Sequence, residues 1–546
     1  MIRLRKYLWG LILISGMLSA QQKQSVPRPK LVVGLIVDQM RWDYLYRYYT
    51  KYGEGGFKRL LSSGYSLNNV HIDYVPTVTA IGHTSIFTGS VPSIHGIAGN
   101  DWYDREQGKN IYCTADDTVH PIGSSSNASG QHSPRNLWAT TITDQLGLET
   151  NFNSKIIGIS LKDRASILPA GHNPTGAFWF DDTTGKFITS SYYAKELPKW
   201  VQAFNAKNIP AQLVANGWST LLPIQQYTES SPDDVPWENL LGSKKTPTFP
   251  YTDLAKDYEA KKGLIRTTPF GNTLSLKLAE AAIEANQMGA DEVTDFLTVN
   301  LASTDYVGHH FGPNSIEVED TYLRLDRDLS DFFKNLDAKI GKDNYLVFLT
   351  ADHGAAHAVE FMRAHKMPAG FFGENNKSKL NQKAKQKFGV DHLIAATKNY
   401  QIYLDRKLIS DHKIALDEVQ NFFIDVLRKD PAVLYAINMD EIARSPVPEP
   451  IKSRVINGYN WERSGDIQII PKDGYLPLYV KKGTTHSVWN SYDSHIPLIF
   501  MGWKINQGES NQPYNMTDIA PTLSALLKIQ FPSGSIGKPI TEVIGK

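Results

Sequence analysis

The chain has 546 residues, a formal net charge of +1, and 41% hydrophobic and 11% aromatic content, the balance of an ordinary globular protein with a large core. Near-neutrality excludes a nucleic-acid partner held through its phosphate backbone, which demands a strongly basic surface. A single cysteine, Cys113, excludes an internal disulfide, so packing and bound metals must stabilise the fold.

At the N-terminus, Arg3, Arg5 and Lys6 precede an apolar run from Leu8 to Leu18, and Ser19-Ala20 then offers a small-residue cleavage point. Residues 1–20 read as a secretory signal peptide. The run is shorter than the roughly 20 apolar residues of a spanning helix, so no stable membrane insertion is expected. Leu31 to Val37 reads as a buried strand ending at Asp38-Gln39. Between Val75 and Gly89, Thr79 stands ahead of an apolar helical stretch, where free backbone N–H groups and the helix dipole suit a phosphoryl group. A plain N-cap at Thr77 or Thr79 is the structural alternative. Ile156 to Leu161 reads as a strand whose continuation would project Lys162 and Arg164 to one face.

Further on, Thr273 to Asn286 has helical periodicity, and Phe296 to Ala302 reads as a strand leading into Asp305-Tyr306-Val307-Gly308-His309. Glu317 to Ile340 carries an apolar stripe of Leu325, Leu329, Phe332, Phe333, Leu336 and Ile340. Tyr345 to Thr350 is a strand before Asp352-His353-Gly354, Ile496 to Met501 is another, and Asn515 to Asp518 opens a last helix through Leu526. This alternation predicts an α/β fold with a mostly parallel central sheet and helices on both faces. Two stretches, about 170–270 and 364–479, break the alternation and read as insertions in one catalytic domain spanning 21–546. Each is also large enough to be a small domain.

Asp38, Asp305 and Asp352 each follow a strand, where open α/β sheets place their active sites. With His309, His353 and a late His486 in Thr485-His486-Ser487, they supply oxygen and nitrogen ligands for two divalent metals. Mixed His and carboxylate ligands suit zinc, and tolerate manganese or iron. His310, His357 and His495 are rivals for the late position.

In order and surroundings, Asp38, Thr79 within Thr-Ala-x-Gly-His, Asp305 to His309, Asp352-His353-Gly354 and His486 resemble the alkaline phosphatase superfamily of two-zinc hydrolases. Within it they look most like the exported bacterial alkaline phosphatases whose nucleophile is Thr. The resemblance implies one Zn2+ on Asp305, His309 and His486, and another on Asp38, Asp352 and His353, with Thr79 joining the second. Thr79 would form a phosphothreonine, released by water, while Asn100, Lys162 and Arg164 would hold the transferred oxygens. No carboxylate set for a third, magnesium site is identifiable, and Lys162 would supply that charge. The expected function is therefore a periplasmic or secreted, monomeric alkaline phosphatase acting on small-molecule phosphate monoesters.

A nucleotide pyrophosphatase or phosphodiesterase would keep the metals and Thr79 but hold its second ester group in an apolar pocket. A sulfatase would need a C/S-x-P-x-R motif, and Cys113 lies outside any such context. An exported metal- or glycan-binding protein would use the aromatics Trp179, Phe180, Trp200, Trp218 and Trp237, and would leave Thr79 unexplained.

Overall fold

The computed structural model describes residues 26–545, so the expected signal peptide lies outside the described residues. Among these, no helix is long and apolar enough to cross a membrane. The strands that matter here are β1 (Leu31–Val37), β2 (Tyr65–His71), β3 (Ile156–Ser160), β4 (Gly176–Asp181), β5 (Lys186–Ser190), β6 (Asp295–Leu301), β7 (Tyr345–Thr350), β8 (Ile394–Lys398), β9 (Gln401–Leu404), β10 (Val433–Asn438), β11 (Ile467–Pro471) and β12 (His495–Gly502). The principal helices are α1 (Thr79–Thr88), α2 (Asp163–Ala170), α3 (Phe270–Ala285), α4 (Ser303–Phe311), α5 (Ile316–Lys339), α6 (Leu416–Arg428) and α7 (Ile519–Leu527).

An 11-stranded sheet runs through the molecule, with the long strands in the order β2-β12-β7-β1-β6-β3-β4-β5. The central strands β7, β1, β6, β3 and β4 are parallel, with Ile36 registered against Thr350 on one side and Asn300 on the other. β12 is antiparallel to both β7 and β2, and β5 to β4. The β4–β5 connection is a tight turn, which forces antiparallel pairing. β1, β6 and β7 are buried at every position, which explains why they read as continuous apolar runs.

Helices cover both faces. A side chain on Gly34 would meet Phe348 at 2.6 Å and Phe87 of α1 at 3.3 Å, whereas Leu31, of opposite parity, flanks Gly289 together with Ile340 at the end of α5. α5 starts where Ser315 Oγ accepts from Val318 N at 3.1 Å, an N-cap that fixes its first turn.

The stretch at 170–270 departs from the expected insertion in its first part, because β4 and β5 lie within it and extend the central sheet. Trp179 and Phe180 there are core residues of β4, buried against neighbouring helices. Mixed aromatic and Thr/Gly composition hid a strand whose faces are both covered. The stretch at 364–479 instead builds its own four-stranded sheet, β8-β9-β11-β10. Leu393, Val419, Phe423, Leu427 and Ile467 give it a separate apolar cluster beneath α6.

Gly34→Val would force a branched side chain between Phe348 and Phe87, a site with no spare volume. The expected loss is about 1–3 kcal/mol, read as a lower urea midpoint. An unchanged midpoint would show that this layer yields.

Candidate active site

Four adjacent parallel strands, β7, β1, β6 and β3, deliver Asp352, Asp38, Asp305 and Lys162 at their carboxyl ends. Lys162 Nζ donates to Asp305 Oδ2 at 2.6 Å and Asp38 Oδ2 at 2.9 Å, and lies 3.4 Å from Thr79 Oγ1. All of these side chains are buried. Asn300 steadies Asp38, donating from Nδ2 to its Oδ2 at 3.1 Å while accepting from Ser160 Oγ at 2.7 Å. Gln39 adopts a left-handed backbone with φ 65°. That turn aims its backbone N–H at Asp352 Oδ1 (3.1 Å) and its amide at Asp305 Oδ1 (2.6 Å).

The three predicted His ligands share one device. Each directs Nδ1 at a backbone carbonyl: His309 at Thr484 (2.8 Å), His353 at Gly354 (3.0 Å) and His486 at Thr77 (2.6 Å). With the proton placed on Nδ1 by that bond, Nε2 presents its lone pair to the carboxylates, the arrangement metal-ligating imidazoles adopt.

Two ligand atoms about 2.0 Å from one tetrahedral ion stand about 3.3 Å apart. His309 Nε2 lies 3.1 Å and His486 Nε2 3.8 Å from Asp305 Oδ1. His353 Nε2 lies 3.4 Å from Asp352 Oδ2 and 3.9 Å from Asp38 Oδ1. Asp38 Oδ1 and Asp352 Oδ2 are buried without any hydrogen-bond partner, and buried anionic oxygens in that condition call for a cation. The residues therefore fit bound metal.

Proximity alone groups the donors differently, as Asp305, His353, His486 and as Asp38, His83, Asp352. His353 stacks on His486 at 3.6 Å between ring centroids, so it reaches both carboxylate sets. His83 was missed by sequence reasoning although it sits one helical turn after Thr79. Its Nδ1 donates to Thr79 O at 2.9 Å and lies 3.3 Å from Asp352 Oδ2, and we assign it a positioning role.

Burial pushes the Asp38 carboxyl well above its ordinary range, and the neighbouring Asp352 charge adds to this. Asp305 goes the other way: burial opposes ionisation, but His309 and Lys162 outweigh it. Asp352 is likewise lowered against burial, by His353 and His83. Burial holds His353 and His486 neutral, whereas Asp305 overcomes burial and raises His309.

Thr79 is the first residue of α1, and neither it nor Thr77 caps the helix; Val78 occupies that position. The Thr77 hydroxyl bonds Val488 O and Asp493 instead. Asn100 Oδ1 accepts from Ala80 N at 2.9 Å, which leaves its Nδ2 as a donor beside Thr79.

Lys162 and Arg164 do not share a strand face. β3 stops at Ser160 and α2 begins at Asp163, so Arg164 lies on a helix, where side chains two residues apart diverge. Lys162 turns into the carboxylates, and Arg164 donates to Tyr112 Oη at 3.0 Å while its Nε is buried without a partner. Of the rival imidazoles, His310 bonds Leu240 O, His357 bonds Asn314 and Arg41, and His495 bonds Asn68 O and stacks on Trp42. His486 alone among the late candidates enters the site.

Carboxylate and imidazole clusters at the carboxyl edge of a parallel sheet, beside a Thr at a helix start, define a metal-dependent hydrolase. The family profile for type I phosphodiesterase / nucleotide pyrophosphatase matches residues 32–495, and the chain belongs to that family. It is 77% identical to alkaline phosphatase PafA of Elizabethkingia meningoseptica over the whole of both chains. It is 50% identical to alkaline phosphatase PhoV of Synechococcus elongatus, covering 95% of this chain and 94% of the relative. The crystal structure of wild-type alkaline phosphatase PafA superposes with a TM-score of 0.95 at 78% identity, covering 96% of this chain and 100% of that one. The superfamily and the subgroup expected from the motifs are both upheld.

In the metal-free site, His309 and Asp38 both hold protons above their ordinary pKa values, and a divalent cation must displace them. Metal binding should therefore release protons, and affinity should rise with pH through neutrality. Titrating Zn2+ into metal-free protein in weak buffer at pH 7 tests this; uptake without acidification would contradict it.

Proposed function

We propose that this phosphate monoester hydrolase works through a phosphothreonine intermediate on Thr79, with two zinc ions as its metal cofactors. Its phosphomonoesterase activity follows from its full-length likeness to alkaline phosphatases. The observation that carries the mechanism is the position of Thr79 Oγ1, 3.4 Å from Lys162 Nζ and 3.5 Å from His353 Nε2. A buried hydroxyl with a cation and a metal-facing imidazole beside it is an activated nucleophile.

One zinc set would be Asp305, His309 and His486, and the other Asp38, Asp352 and His353, with Thr79 joining the latter. Bound there, the ions would lower the pKa of oxygen nucleophiles and neutralise charge on attacking and leaving oxygens. Thr79 Oγ1 attacks phosphorus as its proton passes to solvent, the ester bond to the leaving group breaks, and the departing alkoxide takes a proton from solvent. Water then cleaves the phosphothreonine and frees inorganic phosphate. Through these steps Asn100 Nδ2, Lys162 and Arg164 stabilise the non-bridging oxygens. The signal-like N-terminal segment supports export to the periplasm and action on small-molecule monoesters met there.

A monoester carries about one more negative charge than a diester. One charge pair at 4 Å contributes about 4 kcal/mol at an effective dielectric of 20, enough for Lys162 and Arg164 to decide between the two ester classes.

Acid quenching during turnover of an aryl phosphate, followed by peptide mapping, should find phosphate on Thr79. Thr79→Ala should lower kcat/KM by at least about a thousandfold. Lys162→Ala combined with Arg164→Ala should collapse the preference for an aryl monoester over its methyl diester. A diester preference that the double variant leaves alone would move the activity to the phosphodiesterase side of the family.

A further inference from the structure

In the proposed mechanism, Asp305, His309 and His486 would hold the metal on the side of the departing oxygen, since attacking and leaving groups lie in line across phosphorus. Two cavities border this set. A cleft of about 730 Å³ beside the smaller four-stranded sheet has His486 and Asp101, the neighbour of Asn100, in its wall. A second, of about 500 Å³, has His309 in its wall. Tyr479 lines both. Its side chain is 85% exposed, more than any other large apolar residue in the described chain.

The charged and amide groups of the larger cleft are already engaged. Lys398 pairs with Asp101 at 3.1 Å, and Lys377 donates to Ala395 O. Asn375 bonds Asp430, Asn376 caps the helix at Lys377, and Asn399 bonds Asp101 O. The walls that remain are apolar or aromatic, with Phe372 and Tyr400 packed at 5.8 Å and Leu478 exposed beside Tyr479. A polyol or a charged leaving group would gain little from such walls. A flat, neutral ring would stack.

Resting on the proposed monoesterase mechanism, we infer that this cleft is a leaving-group subsite for a neutral aromatic alcohol of nucleoside size, with the Tyr479 ring as its stacking platform. The volume lies within the range that encloses a ligand of that size. The segment that carries Tyr479 is positioned independently of the metals: Gly370–Phe372 pairs with Tyr475–Pro477, and Leu478 N donates to Phe372 O at 2.7 Å. Contact with the ring is made equally before and during bond cleavage, so it acts on KM.

The test compares adenosine 5′-monophosphate with methyl phosphate, both alkyl esters, in the wild type, Tyr479→Ala and Tyr479→Phe, all zinc-loaded. Tyr479→Ala should lower kcat/KM for the nucleotide about tenfold more than for methyl phosphate, through KM, and Tyr479→Phe should keep the wild-type ratio. Equal losses on both substrates, or a Phe variant that behaves like Ala, would overturn the subsite while leaving the monoesterase mechanism in place. Failure of the wild type to turn over either ester would overturn that mechanism and the subsite with it.

Discussion

Burying three carboxylates side by side is the constraint on which the rest of this structure depends. Asp38, Asp305 and Asp352 stand at neighbouring strand ends with no solvent to screen them. Lys162 answers part of that charge by bridging Asp38 and Asp305. Asp38 Oδ1 and Asp352 Oδ2 still lack partners. Unpaired buried charge is expensive, so the fold stores a standing demand for cations at one place. Gln39 shows how far the chain bends to serve it: a left-handed residue costs about 1–3 kcal/mol, offset by its two bonds to the carboxylates.

Thr79, the proposed nucleophile, is tied to that same charge cluster through backbone contacts. His83 links the Thr79 carbonyl of α1 to Asp352, and the Thr77 carbonyl just before α1 anchors His486. A Cβ at position 82 would lie 2.4 Å from Asp352 O, so only glycine lets α1 approach this closely. Helix and ligand loops are thus tied together by direct contacts. Such ties would hold the Thr79 hydroxyl beside a bound metal with the accuracy the proposed in-line attack requires.

Much of this was legible because Asp38 and Asp352 come just after strands buried at every position and Asp305 opens the helix that follows a third, a pattern that a run such as Leu31 to Val37 states openly. The six metal-facing residues and Thr79 are local features, readable by motif. Lys162 and Arg164 were recognised as residues but misplaced in geometry, since nothing in Ile156 to Leu161 announces that the strand yields to a helix at Asp163. His83 and Gln39 were missed because their roles exist only after distant segments meet; Gln39 bonds carboxylates 266 and 313 residues away. β4 and β5 were hidden for a related reason: their sequence periodicity is lost when both faces are covered, and flanking Thr and Gly look like loop.

Membership of a family named for phosphodiesterases does not by itself select an ester. In the proposed mechanism the metal ligands and Thr79 would serve the attacking and leaving oxygens, which monoesters and diesters share. Selection must come from groups that meet the remaining phosphoryl oxygens, and these are placed by elements outside the ligand motifs. Asn100 is oriented by Ala80 N, Lys162 by the strand-to-helix junction, and Arg164 by Tyr112. Arg164 is half-buried, with one guanidinium nitrogen on Tyr112 and a buried Nε left open. A guanidinium in that state favours an additional anionic oxygen, and a monoester brings one where a diester brings a second alkyl group. On the proposed mechanism the same metal scaffold would serve either chemistry, and Asn100, Lys162 and Arg164 around it would set the charge that the substrate must carry.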